Sequence, residues 1–267
     1  MKIGIVTLFP EMFEALTSYG VTSRAFKQNI IELKFFNPRD LTDNKHNSVD
    51  DRPFGGGPGM IMSPQPLKNA ISKARDWIDD RLKVVYLSPQ GALVTQSKIK
   101  SMTDENNFIF IAGRYEGIDE RIIQTQVDEE LSIGDYIVSG GELPAMVILD
   151  ALVRYKPGVL GNPMSKNQDS FSDEIFDFPN YTRPEIFDGI KVPEVLLSGH
   201  HSQIKAWRDQ QAIKKTKEKE ELKDKDLIGF VGAPWTILVY MLNQKSPKKE
   251  NLNHKFNDVL NNLLLTF

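Results

Sequence analysis

The sequence predicts an α/β fold: a parallel β-sheet covered by helices on both faces, followed by a second, smaller helical domain. Up to about residue 155, short runs rich in Val, Ile, Phe and Tyr alternate with segments whose apolar residues recur every three or four positions. Strands that alternate with helices are typical of parallel sheets. From Lys156 the alternation stops, and a stretch rich in Pro, Gly, Asn and Ser follows.

The individual elements follow from these patterns. Buried strands are predicted where turn residues bound an apolar run, at 3–9, 31–36, 84–87, 108–112 and 136–138. Helical spacing is found at 11–18, 66–80, 96–105, 118–126 and 143–155.

The change in composition predicts the domain boundaries. We expect a first domain over 1–158, a flexible interdomain linker over 159–175 and a helical domain over 176–267. Within 193–219, Ile204, Trp207 and Ile213 lie on an increasingly basic helix, which favours an RNA-facing element. Trp207 is equally well interpreted as a core anchor.

Composition excludes several classes of protein. The chain has no cysteine, which rules out disulfides, thiolate metal sites and cysteine nucleophiles, and its four histidines are too scattered for a zinc pair, so no metal site is predicted. No apolar run approaches the ~18 residues of a membrane span. Residues 1–6 resemble a strand rather than a cleavable leader. We therefore expect a cytoplasmic protein with no membrane partner.

Charge is unevenly distributed. Residues 1–189 hold 20 Lys and Arg against 27 Asp and Glu, whereas residues 190–267 hold 13 against 9. The two parts thus carry net charges of −7 and +4. A basic C-terminal part is compatible with RNA binding, and a solvated helical face explains it equally well.

Three glycine-containing loops predict a binding site. They read Tyr-Leu-Ser-Pro-Gln-Gly at 86–91, Gly-Arg-Tyr-Glu-Gly-Ile-Asp-Glu-Arg at 113–121 and Ile-Gly-Asp-Tyr-Ile-Val-Ser-Gly-Gly-Glu-Leu-Pro at 133–144. Each follows an apolar run, so strand ends turn through glycines whose backbone can approach a ligand closely.

A fourth glycine-rich loop, at 55–59, has the composition of an anion-binding nest. A phosphate-binding NTPase loop would continue with Gly-Lys-Ser/Thr, but Met60 and Ile61 follow here, so a nucleotide hydrolase is disfavoured. We interpret this loop, with Asp50, Asp51 and Arg52, as part of a ligand-site wall; a packed turn is the alternative.

These loops, with Leu-Phe-Pro-Glu-Met-Phe at 8–13 and Asp-Asp-Arg-Pro-Phe-Gly-Gly-Gly-Pro-Gly-Met at 50–60, resemble the bacterial tRNA (guanine-N1)-methyltransferases of the TrmD family, in the SPOUT class. The resemblance runs from Met1 to about Lys219. It implies a deep trefoil knot, a feature otherwise almost absent from proteins.

The resemblance also implies S-adenosylmethionine as cofactor. The adenine slot would be formed by apolar side chains and backbone groups, namely those of Tyr86, Leu87, Ser88, Pro89, Ile133, Gly134, Tyr136, Ile137, Val138, Gly140, Gly141 and Pro144. Gly113, Tyr115 and Glu116 would flank the ribose and methionine ends.

Methylation of guanine at N1 requires a general base, because N1 carries a proton and is a poor nucleophile until that proton leaves. Asp169 matches the catalytic aspartate of the family. Arg154 matches the arginine that stabilises the negative charge developing on O6. Taken alone, the two residues are interpreted as a solvated loop acid and an ordinary helix-end cation.

Further family properties are implied. They are a homodimer whose active site uses both subunits, Mg²⁺ dependence with Glu116 as a contact, and tRNA as substrate, methylated at the guanosine immediately 3′ of the anticodon. Residues 181–185 and 198–208 resemble the tRNA-contacting part of the family's C-terminal domain, where Arg and His suit phosphates and Trp suits a splayed base.

The resemblance ends near residue 222. Residues 225–267, in particular 226–242, resemble instead an internal strand-turn-helix piece of uroporphyrinogen decarboxylase, too short to supply the activity of that barrel enzyme. A fused, recombined or misjoined C-terminus is one hypothesis. The alternative is that 227–242 and 252–267 supply the apolar helices that this domain needs.

The sequence therefore predicts a homodimeric tRNA (guanine-N1)-methyltransferase. The main rival is a non-catalytic tRNA-binding protein that retains the cofactor fold, and a nucleotide hydrolase ranks third.

Overall fold

The computed structural model describes residues 1–42, 44–105, 107–159 and 176–229. The chain divides into two compact units, Met1–Asp173 and Glu174–Phe267.

The first unit is built on a five-stranded sheet. In chain order its strands are β1 (Lys2–Val6), β2 (Glu32–Phe36), β3 (Asp50–Asp51), β4 (Ile61–Met62), β5 (Lys83–Leu93), β6 (Phe108–Ile111) and β7 (Glu129–Ser132). The main sheet has the order β2-β1-β6-β5-β7 and every pairing in it is parallel. β3 and β4 form a separate antiparallel pair.

Helices connect these strands. The α-helices are α1 (Glu14–Thr17), α2 (Ser23–Lys27), α3 (Pro64–Ile78), α4 (Gln96–Thr103), α5 (Glu120–Gln126) and α6 (Glu142–Val153), and 3₁₀ turns cover Pro10–Phe13 and Pro38–Leu41. The five α-helical segments expected from the apolar spacing are each found within a few residues of their expected bounds, although 11–18 begins as a 3₁₀ turn.

Both faces of the sheet are buried, as the sequence predicts. Alternation along β6 sends Phe108 and Phe110 into the core beneath α4 and α6, while Ile109 and Ile111 pack on the opposite face against α3 and α5. Each face carries its own hydrophobic cluster, which explains why these strands are apolar runs rather than alternating ones.

One predicted strand is wrong. Residues 136–138 form a loop, and the fifth strand is β7, Glu129–Ser132. β7 is an edge strand that pairs with β5, so its acidic residues are tolerated, while the apolar Ile137 is 81% exposed.

The second unit contains a short hairpin, β8 (Ile186–Phe187) and β9 (Ile190–Lys191), followed by α7 (Glu194–Leu197) and the long helix α8 (His201–Gly229). In the part of the chain that the structure covers, no helix is both long and apolar enough to cross a membrane. Of residues 225–267, which resemble uroporphyrinogen decarboxylase, 225–229 belong to α8 and the rest lie outside the described residues.

Candidate active site

The three glycine-containing loops meet at the carboxyl end of the sheet. They enclose a cavity of about 340 Å³, within the size range of small-molecule sites. The residues predicted to bind a cofactor all line this cavity: Tyr86, Leu87, Ser88, Pro89, Gly113, Tyr115, Glu116, Ile133, Gly134, Tyr136, Ile137, Val138, Gly140, Gly141 and Pro144. The structure thus brings together three segments that are well separated in sequence.

The first wall of the cavity is a bulge in β5. Leu87 and Ala92 both pair with Leu131 of β7, so residues 88–91 are looped out of the ladder. The bulge is possible because residue 91 is glycine: a Cβ there would lie 2.4 Å from the backbone nitrogen of Leu131. This looped segment carries Ser88 and Pro89 into the cavity.

The third loop packs directly on the end of β6. The Gly141 amide donates to the Gly113 carbonyl at 2.9 Å, and a Cβ on Gly141 would lie 2.6 Å from the Ala112 Cα. α6 begins at the next residue, so its N-terminal amides and the positive end of its dipole lie beside the cavity.

A buried ion pair joins two of the loops. Glu142, fully buried at the start of α6, has its Oε2 2.8 Å from Arg114 Nε. Its other oxygen accepts a 2.8 Å hydrogen bond from the Thr7 hydroxyl, which in turn accepts from the Phe9 amide. The ends of β1 and β6 and the start of α6 are therefore held by one carboxylate, which is costly to bury without such partners.

The Arg114 guanidinium makes further contacts that fix the cavity wall. It lies 4.5 Å from the centre of the Phe9 ring, and its Nη1 donates to the Ser139 carbonyl at 3.1 Å. A Cβ on Gly140 would overlap the guanidinium, at 2.4 Å from Nε. Arg114 thus packs against the 139–141 backbone and holds it in place.

The floor and rim of the cavity differ in polarity. Burial raises the pKa of the Tyr86 hydroxyl above its ordinary value of 10.0, with a smaller contribution from the charge of Glu130, so this group offers a neutral surface to the cavity. Around it, Glu116, Glu120 and Glu130 line the cavity. This set of carboxylates favours a cationic ligand.

The β3–β4 hairpin, residues 50–62, docks on the second loop. The Glu116 amide donates to the Met60 carbonyl at 2.9 Å, and the Met62 amide donates to the Gly117 carbonyl at 3.0 Å. Residues 55–59 at its tip do not line the cavity, so an anion nest there is separate from the cavity. The hairpin thus contacts a loop of the cavity without lining the cavity itself, and its role as a wall of the ligand site stays a prediction.

One of the two predicted catalytic residues, Arg154, is not among the residues that line this cavity. Arg154 caps α6 at its C-terminal end, and a helix of 12 residues is about 18 Å long. The cavity lies at the opposite end of this helix. Asp169 lies outside the described residues.

Ten lining residues were missed by the sequence reasoning. They are Gln90, Arg114, Gly117, Ile118, Glu120, Ile123, Glu130, Leu131, Ser132 and Ser139. Several lie within the loop motifs and could have been included, whereas residues 130–132 were lost because β7 was not recognised as a strand. No group of three or more His, Asp or Glu side chains suited to a metal occurs in residues 1–42, 44–105, 107–159 or 176–229.

In the second unit, the segments predicted to contact RNA present aromatic and basic groups. The Trp207 ring is half-buried and lies 6.3 Å from that of Tyr181, and Arg208 lies 4.7 Å from the centre of the Phe178 ring. His200 and His201 are exposed. Trp207 is therefore neither a fully buried anchor nor a fully free stacking surface.

Fold and cavity together define the class: a parallel α/β protein with helices on both faces of its sheet and a cavity of small-molecule size at the carboxyl ends of its strands. The sequence profile of the family described as tRNA (Guanine-1)-methyltransferase TrmD matches residues 1–227, and the chain belongs to this family. The match stops close to where the resemblance was expected to end.

Relatives support the assignment. The chain is 57% identical over 216 residues to a tRNA (guanine-N(1)-)-methyltransferase of Shewanella sediminis (strain HAW-EB3), an alignment that covers 81% of this chain and 89% of the relative. A protein of the same description from Marinomonas sp. (strain MWYL1) is 55% identical over 216 residues, which cover 81% of this chain and 86% of that relative. Another, from Pasteurella multocida (strain Pm70), is 53% identical over 216 residues, which cover 81% of this chain and 88% of that relative.

Proposed function

We propose that this protein transfers a methyl group from S-adenosylmethionine to N1 of the guanosine immediately 3′ of the anticodon in tRNA. The observation that carries the proposal is the convergence of the three loops on one cavity in a chain of the TrmD family. The described relatives are methyltransferases of the same specificity class, and they match over most of their length.

The cavity suits this cofactor chemically. The looped backbone at 88–91 and 133–141 offers apolar surface with amide and carbonyl groups for an adenine ring. Glu116, Glu120 and Glu130 offer negative charge to a ligand that carries a sulfonium and an ammonium group. S-adenosylmethionine would supply an electrophilic methyl group when bound there.

Asp169 is proposed as the base that accepts the N1 proton, and Arg154 as the cation that stabilises the charge developing on O6. Arg154 lies a helix length away from the cavity of its own chain. We therefore propose that Arg154 acts in the cavity of a second copy, within a homodimer.

Exposed apolar side chains support that dimer. Leu143 and Val147 on α6 are 45% and 53% exposed, and Ile137 beside the cavity is 81% exposed. Apolar side chains grouped in this way mark an interaction surface. The proposal includes a trefoil-knotted, SPOUT-class first domain, a tRNA-contacting helical second domain and a cytoplasmic location.

The function is tested by transfer of labelled methyl to a tRNA transcript with guanosine 3′ of the anticodon. The controls are a transcript with adenosine at that position and an Asp76→Asn variant, since Asp76 is an exposed carboxylate on α3. Incorporation that requires the guanosine and is lost in Asp169→Ala supports the proposal. Equal incorporation into both transcripts contradicts it.

Mixed dimers test where Arg154 acts. Arg154→Ala and Glu116→Ala proteins are each expected to be inactive, but a mixed dimer holds one intact cavity that faces an intact Arg154. Random subunit exchange should then restore about a quarter of wild-type activity, because half of the dimers are mixed and each holds one working site of two. No recovery would place Arg154 in the cavity of its own chain.

The alternative function is a non-catalytic tRNA-binding protein that retains the cofactor fold. It predicts salt-dependent tRNA binding with no methyl transfer in the same assay. Mg²⁺ dependence is a separate expectation of the resemblance, and repeating the transfer with and without a chelator tests it.

A further inference from the structure

Phe54 is the most exposed large apolar side chain among the described residues, at 101% of its fully accessible surface. It lies at the tip of the β3–β4 hairpin, beside glycines 55–57. A phenylalanine that stays in water contributes no hydrophobic stabilisation to the fold. Where its backbone is held in place, such a side chain therefore indicates a contact with a partner molecule.

The base of this hairpin is well anchored. β3 and β4 pair with each other, the Ser63 amide donates to the Val49 carbonyl at 2.7 Å, and the Met60 carbonyl accepts from the Glu116 amide. Glu116 lines the cofactor cavity, so the hairpin rises from the cavity rim. Phe54 is therefore presented near the place where a substrate would enter.

The surroundings of Phe54 are open. Gly55, Gly56 and Gly57 have φ values of 86°, 80° and 123°, and, apart from each glycine and its two chain neighbours, no atom of the described residues lies within 4 Å of where their Cβ atoms would be. Bare backbone on one side and a free aromatic face on the other leave room for a planar group. Exposed Arg52, two residues before Phe54, adds a cation, although the neighbouring Asp51 is acidic.

We propose that Phe54 stacks on an unpaired nucleobase next to the target guanosine and so helps to hold the tRNA loop over the cavity. This inference rests on the proposed function, since it takes tRNA as the substrate. A flat, aromatic, single-stranded base is the partner that a free phenyl ring with an adjacent cation recognises best. The glycines allow the nucleic acid backbone to approach the hairpin closely.

The test compares kcat/KM for tRNA among Phe54 variants. Phe54→Ala should lower it by about fivefold to hundredfold, the range for loss of one stacked base. Phe54→Trp should retain it, whereas Phe54→Leu, which keeps apolar surface without a ring, should behave like Phe54→Ala. Because the side chain makes no packing contribution, all three variants should keep the wild-type melting temperature and affinity for S-adenosylmethionine.

Two controls separate stacking from other causes. Tyr19→Ala removes another exposed aromatic side chain of the first unit and should leave kcat/KM unchanged. Transcripts with an abasic nucleotide immediately 5′ or 3′ of the target guanosine identify the base: one of them should weaken the wild type but not weaken Phe54→Ala further.

Several results would overturn the inference. They are an unchanged kcat/KM in Phe54→Ala, full activity in Phe54→Leu, a loss of cofactor affinity, or a change of oligomeric state that marks Phe54 as a protein contact. If wild-type protein transfers no methyl, the proposed function fails instead. Fluorescence anisotropy with the same intact and abasic stem-loops then decides whether Phe54 contacts a base.

Discussion

The buried ion pair between Glu142 and Arg114 gives the sharpest prediction for the first unit. Glu142→Ala removes a fully buried carboxylate, so the guanidinium of Arg114, whose side chain is 17% exposed, is left without its partner, and the Thr7 hydroxyl loses its acceptor. Removing one member of a buried pair costs about 3–5 kcal/mol. Because Arg114 keeps some solvent contact and its bond to Ser139, we expect the lower end, about 3 kcal/mol.

This loss should be visible as a lower melting temperature. For a unit of this size, 1 kcal/mol corresponds to about 2–4 °C, so circular dichroism should record a fall of about 6–12 °C. Isothermal titration should also show weaker S-adenosylmethionine binding, because Arg114, which supports the 139–141 backbone, is no longer held in place by Glu142. Glu14→Ala is the matched control, since Glu14 is an exposed glutamate in the first turn of α1 and should change stability by less than about 0.5 kcal/mol.

A double variant tests whether the Glu142–Arg114 pair contributes to cofactor binding separately from its contribution to stability. Arg114→Met with Glu142→Leu removes both charges, and apolar replacement of a whole buried pair is often neutral or stabilising. We expect stability to recover while cofactor affinity stays low, because the Ser139 carbonyl loses its Arg114 donor in this variant. The reasoning is refuted if Glu142→Ala costs less than about 1 kcal/mol, or if the double variant binds cofactor like the wild type.

Three further outcomes are expected. Tyr86→Phe removes the hydroxyl of a buried side chain beside the Ile118 backbone, and urea denaturation should show a loss of about 1 kcal/mol, whereas no loss would show that this hydroxyl makes no stabilising hydrogen bond. Asp119→Ala removes the N-cap of α5 and should cost about 1 kcal/mol at neutral pH. The hydrogen bond from Arg121 holds the pKa of Asp119 in the folded protein below its ordinary value of 3.8. The stabilisation is therefore complete above pH 3.8 and is lost as the pH falls through the pKa of the folded state. A difference in melting temperature between wild type and Asp119→Ala that persists below that pKa would contradict this reasoning. Val147→Glu on the exposed face of α6 should dissociate the proposed dimer in light-scattering measurements and abolish methyl transfer, while Lys73→Glu on α3 should do neither.

The sequence was most informative where a single residue type performs a local task. Glycines at strand ends predicted the cavity because turns and close backbone approach have few other solutions, as Gly91 and Gly141 show. The resemblance then assigned fifteen lining residues, all of which the structure places around one cavity.

It was least informative where a task depends on distant partners. Thr7 and Glu142 are 135 positions apart, so nothing local indicates that they share a hydrogen bond. The failure to predict strand β7 has the same cause. Glu129 and Glu130 are acceptable at a sheet edge, and only their pairing with β5 makes them a strand. Conversely, residues 136–138 are apolar because they line a cavity and face outward, not because they lie in the core.

The distribution of charge follows from the need to bind two unlike substrates. A cavity bordered by Glu116, Glu120 and Glu130 attracts a sulfonium cofactor but repels phosphates. In the proposed function a polyanionic tRNA is therefore held by other parts of the molecule, and the net charge of +4 over residues 190–267, against −7 over residues 1–189, favours the C-terminal part for that role. Near the cavity itself, recognition of RNA has to rely on contacts that do not need phosphate charge, and an exposed ring such as Phe54 provides such a contact.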